Sequence, residues 1–114
     1  MSHNAVEFLE GFKTSVEKMK AMHPDIVKGF GAMFQGAMKD GAVSAKTKEL
    51  IALGIAVAQR CEPCILLHVE KCLKAGNSPA EIIEAAGVAV MMQGGPAYTH
   101  LPVVIDAREA LVPA

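Results

Sequence analysis

Apolar residues recur every three to four positions along most of the chain, the period of an α-helix that buries one face. Asn4 and Glu7 have the spacing of a capping box, so a first helix is predicted from there to about Met22. His23-Pro24 ends it, because a residue before proline avoids the helical region, and Pro24 can open a second helix that closes at Asp40-Gly41. The apolar positions of these two helices are Val6, Leu9, Phe12, Val16 and Met19, then Ile26, Phe30, Met33, Phe34 and Met38.

A third helix is predicted from Ser44, a favourable N-cap residue, to about Gln59. Its apolar side chains cover most of its circumference rather than one stripe, which is typical of a helix buried on several sides. These side chains are Leu50, Ile51, Leu53, Ile55 and Val57. We therefore expect this helix to be central to the fold.

Two more helices begin at proline-containing starts. Pro63 fits the first turn of a helix, where its missing N–H costs little, so Cys61-Glu62-Pro63-Cys64 is predicted to open a fourth helix that ends near Ala75-Gly76. Ser78-Pro79-Ala80-Glu81 combines an N-cap serine, a first-turn proline and a glutamate at the third position, and predicts a fifth helix to about Gln93.

The end of the chain is less regular. Gly94-Gly95-Pro96 predicts a turn, and the segment from Ala97 to Leu111 is predicted to be helical, although Pro102 leaves its start open and residues 101–105 alone could form a strand. The chain is thus expected to be all-α, with about six helices in one domain spanning residues 1–114.

Composition adds an expectation about assembly. Of the 114 residues, 52% are apolar, a large share for a small domain that can bury only part of its surface. Some apolar surface should therefore be covered by another subunit, so we expect an obligate homo-oligomer.

Charge excludes some classes of partner. The net charge of −1 comes from acidic and basic residues scattered along the chain, without the basic clusters that bind nucleic acid or anionic membranes. Met1-Ser2-His3-Asn4 does not resemble a signal peptide, and no apolar run approaches the roughly 20 residues of a membrane span. We expect a cytoplasmic protein with neither nucleic acid nor membrane as a partner.

Cys61, Cys64 and His68 are the candidate chemical groups. Residues three and four apart share one face of a helix, so these side chains should converge. A helix N-terminus or a nearby imidazolium stabilises a thiolate, and a second cysteine at this spacing can close a disulfide. The pattern indicates a dithiol–disulfide cycle in which His68 exchanges a proton with Cys64. Either cysteine could attack first, since Cys61 is nearer the helix N-terminus and Cys64 is nearer the imidazole.

Two other interpretations of the cysteine pair remain open. The thiols could bind zinc in a non-enzymatic oligomer, with a further ligand from Glu49, His100 or Cys72, or they could be inert and buried. Cys72 itself is predicted to be a small buried apolar residue. Spacing alone makes Glu49 an ordinary exposed carboxylate.

The same residues resemble a known family, the carboxymuconolactone decarboxylase / alkyl hydroperoxidase D-like (AhpD-like) superfamily. Its motif is a glutamate, a C-x-x-C beginning twelve residues later, and a histidine four residues after the second cysteine, as at Glu49, Cys61, Cys64 and His68. The resemblance covers about residues 44–111 and includes Lys74-Ala75-Gly76-Asn77-Ser78, Glu81-Ile82 and Gly94-Gly95-Pro96.

The resemblance implies an all-α subunit that assembles into trimers or hexamers. It also implies a redox-active Cys61–Cys64 disulfide with Glu49 and His68 as a proton relay, favouring Cys64 as the activated thiol. The substrate would be a peroxide or a disulfide, and a peroxiredoxin or a dithiol would be the electron-transfer partner. Neither a cofactor nor a metal is expected.

The resemblance leaves one activity as an alternative and departs at one residue. Lactone decarboxylation is the alternative, but it does not need two thiols. Where the best-known AhpD-like member has a histidine between its cysteines, this chain has Pro63.

Overall fold

The computed structural model describes residues 4–111, in which all regular structure is helical. The all-α prediction is therefore confirmed for this part of the chain. Within these residues, six helices have two or more turns, and one further helix is a single turn. In chain order they are α1 (Ala5–Met22), α2 (Pro24–Met38), α3 (Ala45–Ala58), α4 (Glu62–Lys74), α5 (Pro79–Gln93), α6 (Gly95–Tyr98) and α7 (Leu101–Leu111).

Local capping explains why the predicted helix starts were correct. The Asn4 side chain accepts the N–H of Glu7 at 3.2 Å, and Ser44 Oγ accepts the N–H of Thr47 at 3.1 Å. At α5, Ser78 Oγ accepts the N–H of Glu81 while the Glu81 carboxylate accepts the N–H of Ser78, a complete capping box. Each bond joins residues three apart and satisfies an N–H that the helix cannot.

The break between α1 and α2 uses an unexpected cap. His23 ends α1 as predicted, but its imidazole Nδ1 also accepts the N–H of Ile26 at 3.3 Å, so His23 is the N-cap of α2. Pro24 occupies the first turn of α2, where no N–H is needed.

The end of the chain differs from the single helical segment predicted from Ala97. Gly94 has φ +72°, and α6 then makes one turn before α7 begins at Leu101. Pro102 lies in the first turn of α7, which a proline tolerates, so 101–105 is helix rather than strand.

The core lies where α3 packs against α4 and α5, with α7 closing over α4. The large side chains with no more than 2% of their surface exposed are Leu9, Leu53, Val57, Ile65, Val69, Ile82 and Val104. The central position predicted for α3 is confirmed. Its outer side is open in the isolated subunit, however, because Ile51 and Ile55 are 51% and 57% exposed.

Helix α2 lies at the edge of this core. None of its residues Pro24–Met38 is buried, and Ile26, Phe30 and Met33 are each more than half exposed. The C-terminal end of α2 is held by Lys48 of α3, whose Nζ donates to the carbonyls of Ala37 at 2.9 Å and Lys39 at 2.7 Å. No helix among residues 4–111 is long and apolar enough to cross a membrane.

Candidate active site

The turn between α3 and α4 sets the position of the first cysteine. Arg60 adopts the left-handed conformation, with φ 55°. Its N–H donates to Val57 O at 3.0 Å, and the next N–H, from Cys61, donates to Ala56 O at 3.1 Å. This pair of bonds is a Schellman motif, which ends α3 and reverses the chain. Cys61 then follows directly as the N-cap of α4.

Cys61 and Cys64 form a disulfide at the first turn of α4. Cys61 Sγ also accepts the N–H of Cys64 at 3.4 Å, in the place that a serine or aspartate oxygen usually takes at a helix start. In the reduced protein, this N–H and the positive end of the helix dipole favour a thiolate on Cys61 over a thiol. The first cysteine therefore has its own means of stabilising negative charge.

His68 follows Cys64 by one turn on α4 and forms a contact with α3. Its Nδ1 lies 2.9 Å from Oε1 of Glu49, and the two side chains are 16% and 12% exposed. A carboxylate can only accept, so Nδ1 donates, and in the neutral imidazole Nε2 is left with a free lone pair. The structure thus brings Glu49 and His68 together, and Glu49 is not the exposed carboxylate that spacing alone indicated.

Cys72 follows His68 by one further turn but is fully buried, as predicted. Burial raises the pKa of its thiol to about 12, and the negative charge of Glu49 adds to the effect. At neutral pH this thiol stays protonated. Within residues 4–111, no group of three or more His, Cys, Asp and Glu side chains is arranged to hold a metal ion.

His100, the other residue considered as a zinc ligand, lies in a different place. Its Nδ1 donates to Pro96 O at 2.7 Å, and it lines a cavity of about 390 Å³ together with Glu62 and Asp106. Neither sulfur of the disulfide lines this cavity. Local bonding within the α6–α7 turn therefore accounts for the orientation of His100.

Two contacts at the site were missed by sequence reasoning. The ring of Phe34 on α2 stacks on His68, with ring centroids 6.2 Å apart and planes 16° apart. Lys71 Nζ lies 5.2 Å from the centroid of the same Phe34 ring. The sequence pattern places Phe34 only in the apolar stripe of α2. The sequence held no signal for the contact, because it depends on how α2 packs across α4.

A family model describing the carboxymuconolactone decarboxylase family matches residues 24–102, more than half of the chain. The chain belongs to this family. The match includes Glu49, both cysteines of the disulfide and His68, so the resemblance drawn from the motif is confirmed.

Two similar proteins come from Haemophilus influenzae and Methanocaldococcus jannaschii. An uncharacterized protein of Haemophilus influenzae is 39% identical over 88 residues, which are 77% of this chain and 78% of the relative. An uncharacterized protein of Methanocaldococcus jannaschii is 33% identical over 108 residues, with 90% of this chain and 96% of the relative covered.

Two solved structures have the same fold. A carboxymuconolactone decarboxylase family protein of Legionella pneumophila superposes with a TM-score of 0.91 at 34% identity, covering 96% of this chain and 98% of its own. A Thermotoga maritima family member has a TM-score of 0.81 at 30% identity, covering 92% and 89%. The Thermotoga protein has been suggested to take part in an antioxidative response.

Proposed function

We propose that the protein is a thiol–disulfide oxidoreductase of the AhpD-like type. It reduces a peroxide, or passes electrons to a peroxiredoxin, as part of antioxidant defence in a reducing cytoplasm. The observation that carries the proposal is the Cys61–Cys64 disulfide at the start of α4, one turn from a histidine held by a partly buried glutamate. The suggestion made for the Thermotoga relative agrees with it.

The thiols of Cys61 and Cys64 together supply the two electrons that reduce a hydroperoxide. His68 takes the proton of Cys64, and the Cys64 thiolate attacks the terminal oxygen of a hydroperoxide. The O–O bond breaks, and the leaving alkoxide takes the proton back from His68 and departs as an alcohol. A sulfenic acid remains on Cys64. Cys61, stabilised as a thiolate by the helix start, then attacks the Cys64 sulfur, closing the disulfide and releasing water. One hydroperoxide and two thiols give one alcohol, one water and one disulfide.

Glu49 and His68 would act together as a proton relay for Cys64. Glu49 accepts from Nδ1 and so leaves Nε2 available to take the proton of Cys64. When His68 is positively charged after that transfer, the nearby carboxylate stabilises it. The reverse transfer returns a proton to a leaving thiolate when an external dithiol reduces the disulfide.

A thiol count tests the proposal. The fully reduced protein has three free thiols, and one equivalent of hydroperoxide should leave one, with a mass loss of two hydrogens in the peptide that contains Cys61 and Cys64. Cys61→Ser and Cys64→Ser variants should show no such loss. Three thiols persisting after peroxide, with unchanged mass, would remove the proposal.

The source and the destination of the electrons can also be measured. We expect a dihydrolipoamide-type dithiol to sustain turnover by reducing the Cys61–Cys64 disulfide, with the electrons passing either directly to peroxide or to a peroxiredoxin. Peroxide consumption with the dithiol alone and with the dithiol plus a peroxiredoxin, using Cys64→Ser as the matched inactive variant, distinguishes the two. Turnover that survives in Cys64→Ser would contradict the assigned role of this thiol.

We further propose that the chain works as a homo-oligomer, a trimer or hexamer as in the AhpD-like branch. The support is the apolar surface left open on neighbouring elements, where α3 exposes Ile51 and Ile55 and α5 exposes Val88 and Met92. Light scattering during gel filtration should give a mass of three or six times 12.0 kDa. An Ile55→Glu variant should lower that mass, and a monomeric wild-type protein would contradict the proposal.

A further inference from the structure

We propose that Phe34 is a positioning residue for His68: its ring fixes the plane of the imidazole so that Nδ1 stays on Glu49 and Nε2 stays available to Cys64. Helix α2, which lies at the edge of the core, thereby contributes a side chain to the site. The inference rests on the proposed thiol chemistry for its importance, but the geometry on which it depends is independent of that chemistry.

Two different contacts constrain the imidazole. The bond between Nδ1 and Glu49 Oε1, at 2.9 Å, holds one edge of the ring, but the ring can still tilt by rotation about its Cβ–Cγ bond, which would carry Nδ1 away from the carboxylate. The near-parallel Phe34 ring, with its centroid 6.2 Å away and its plane 16° off, is an offset stack that restricts the tilt. The two contacts together restrict the direction in which Nε2 points.

Two further side chains contact the Phe34 ring. Lys71, three residues after His68 on α4, contacts the Phe34 ring through its ammonium group, and Phe30 packs on it with centroids 6.0 Å apart. Phe34 is half-buried, whereas Phe30 on the same helix is 61% exposed. Phe34 is therefore a point at which the otherwise exposed α2 docks onto α4.

Helix α3 couples this docking to the glutamate. Lys48 binds the C-terminal carbonyls of α2 at Ala37 and Lys39, and the next residue is Glu49. Two consecutive residues of α3 thus act on the imidazole. Glu49 accepts the hydrogen bond from its Nδ1, and Lys48 holds α2, the helix that carries Phe34. Loss of the Phe34 ring should leave the glutamate in place but free the imidazole to tilt.

Ring-free and ring-retaining variants test the inference. In the reduced protein near pH 7, Phe34→Leu should slow alkylation of Cys64 on the order of 10-fold, because a misplaced base loses part of the 10²-fold or greater effect of a well-placed one. Phe34→Tyr keeps the ring and should restore the rate and its pH profile. Ile26→Ala is the matched control, since it removes apolar volume from α2 at a position that is 54% exposed and lies two turns before Phe34, and it should leave the profile unchanged.

A double variant separates positioning from simple packing. If Phe34 acts through His68, then Phe34→Leu should slow alkylation no further in a His68→Ala background. An equal slowing with and without the imidazole would overturn the inference, because the ring would then act on the fold. Phe34→Met, a flexible apolar residue, serves as a second ring-free variant if Phe34→Leu does not fold.

Nuclear magnetic resonance of the imidazole distinguishes this inference from the proposed function. With ¹⁵N-labelled histidine, the assigned His68 signals of the wild type, Phe34→Tyr and Ile26→Ala should show one neutral tautomer with the proton on Nδ1. The ring-free variants should show a mixture. That result would stand even if the thiols fail to cycle with peroxide, whereas a single unchanged tautomer in both ring-free variants would overturn the positioning role while leaving the redox proposal intact.

Discussion

Oε1 of Glu49 lies 2.9 Å from Nδ1 of His68, and this contact joins helices α3 and α4 across 19 residues of sequence. Both side chains are partly buried, at 12% and 16% exposure, so water cannot replace either partner fully. The contact selects the imidazole tautomer whose Nε2 is basic. In the proposed function, this contact prepares His68 for proton transfer.

Replacing the carboxylate tests this contact. A Glu49→Gln variant keeps an oxygen that can accept from Nδ1 but removes the charge that stabilises the imidazolium. We expect dithiol oxidation by peroxide to slow on the order of 10-fold, with helix content unchanged. Stopped-flow kinetics and circular dichroism measure the two quantities. Glu84→Gln, at an exposed position on α5, is the control, and equal rates in the two variants would contradict a role for Glu49.

Cys72 should behave differently from the other two thiols. Because burial raises its pKa to about 12, it remains a protonated, inaccessible thiol well into the alkaline range. Near pH 8, iodoacetamide should modify two cysteines of the reduced native protein and the third only after denaturation. A Cys72→Ala variant should give the same native count. Modification of Cys72 in the native wild type would show that the core opens there.

The core around α5 should be sensitive to loss of volume. Ile82 is fully buried, so Ile82→Ala removes apolar contacts and leaves a cavity, and should lower the free energy of unfolding by about 2–5 kcal/mol. Ile105→Ala, at a position 41% exposed on α7, should cost about 1 kcal/mol or less. Urea unfolding followed by circular dichroism gives both values. Comparable losses in the two variants would contradict the burial pattern.

The start of α5 should contribute stability that depends on pH. The backbone N–H of Ser78 is the main cause that lowers the pKa of Glu81 below its ordinary 4.5, so folding favours the ionised carboxylate. This contribution is complete above about pH 4.5 and is lost as pH falls through the lowered value. Wild type should therefore exceed Glu81→Gln in stability near pH 6, and the difference should shrink near pH 3.

Urea unfolding at the two pH values measures this contribution. Glu84→Gln, on the same helix, is the matched control. A difference between wild type and Glu81→Gln that is the same at both pH values would show that the carboxylate charge is not what stabilises this capping box.

Local sequence determined most of the helix boundaries. Ser44, Ser78 and Asn4 cap helices through bonds to residues only three positions away, so their effect is independent of the rest of the fold. The same reasoning placed Cys61 and Cys64 at the start of a helix, since Pro63 is tolerated only near such a start. It was less successful at α6 and α7, where two short helices share a segment predicted as one.

The sequence by itself determined that the chain is helical, and it placed two cysteines at the start of α4 and a histidine one turn after the second, because hydrogen bonds and spacing within a helix are local. Its motif also identified Glu49 through the family resemblance. Only the tertiary structure decided that Glu49 contacts His68 at Nδ1 and that Phe34 covers the imidazole face. These contacts join α2, α3 and α4, and their geometry follows from how whole helices pack rather than from any short stretch of residues.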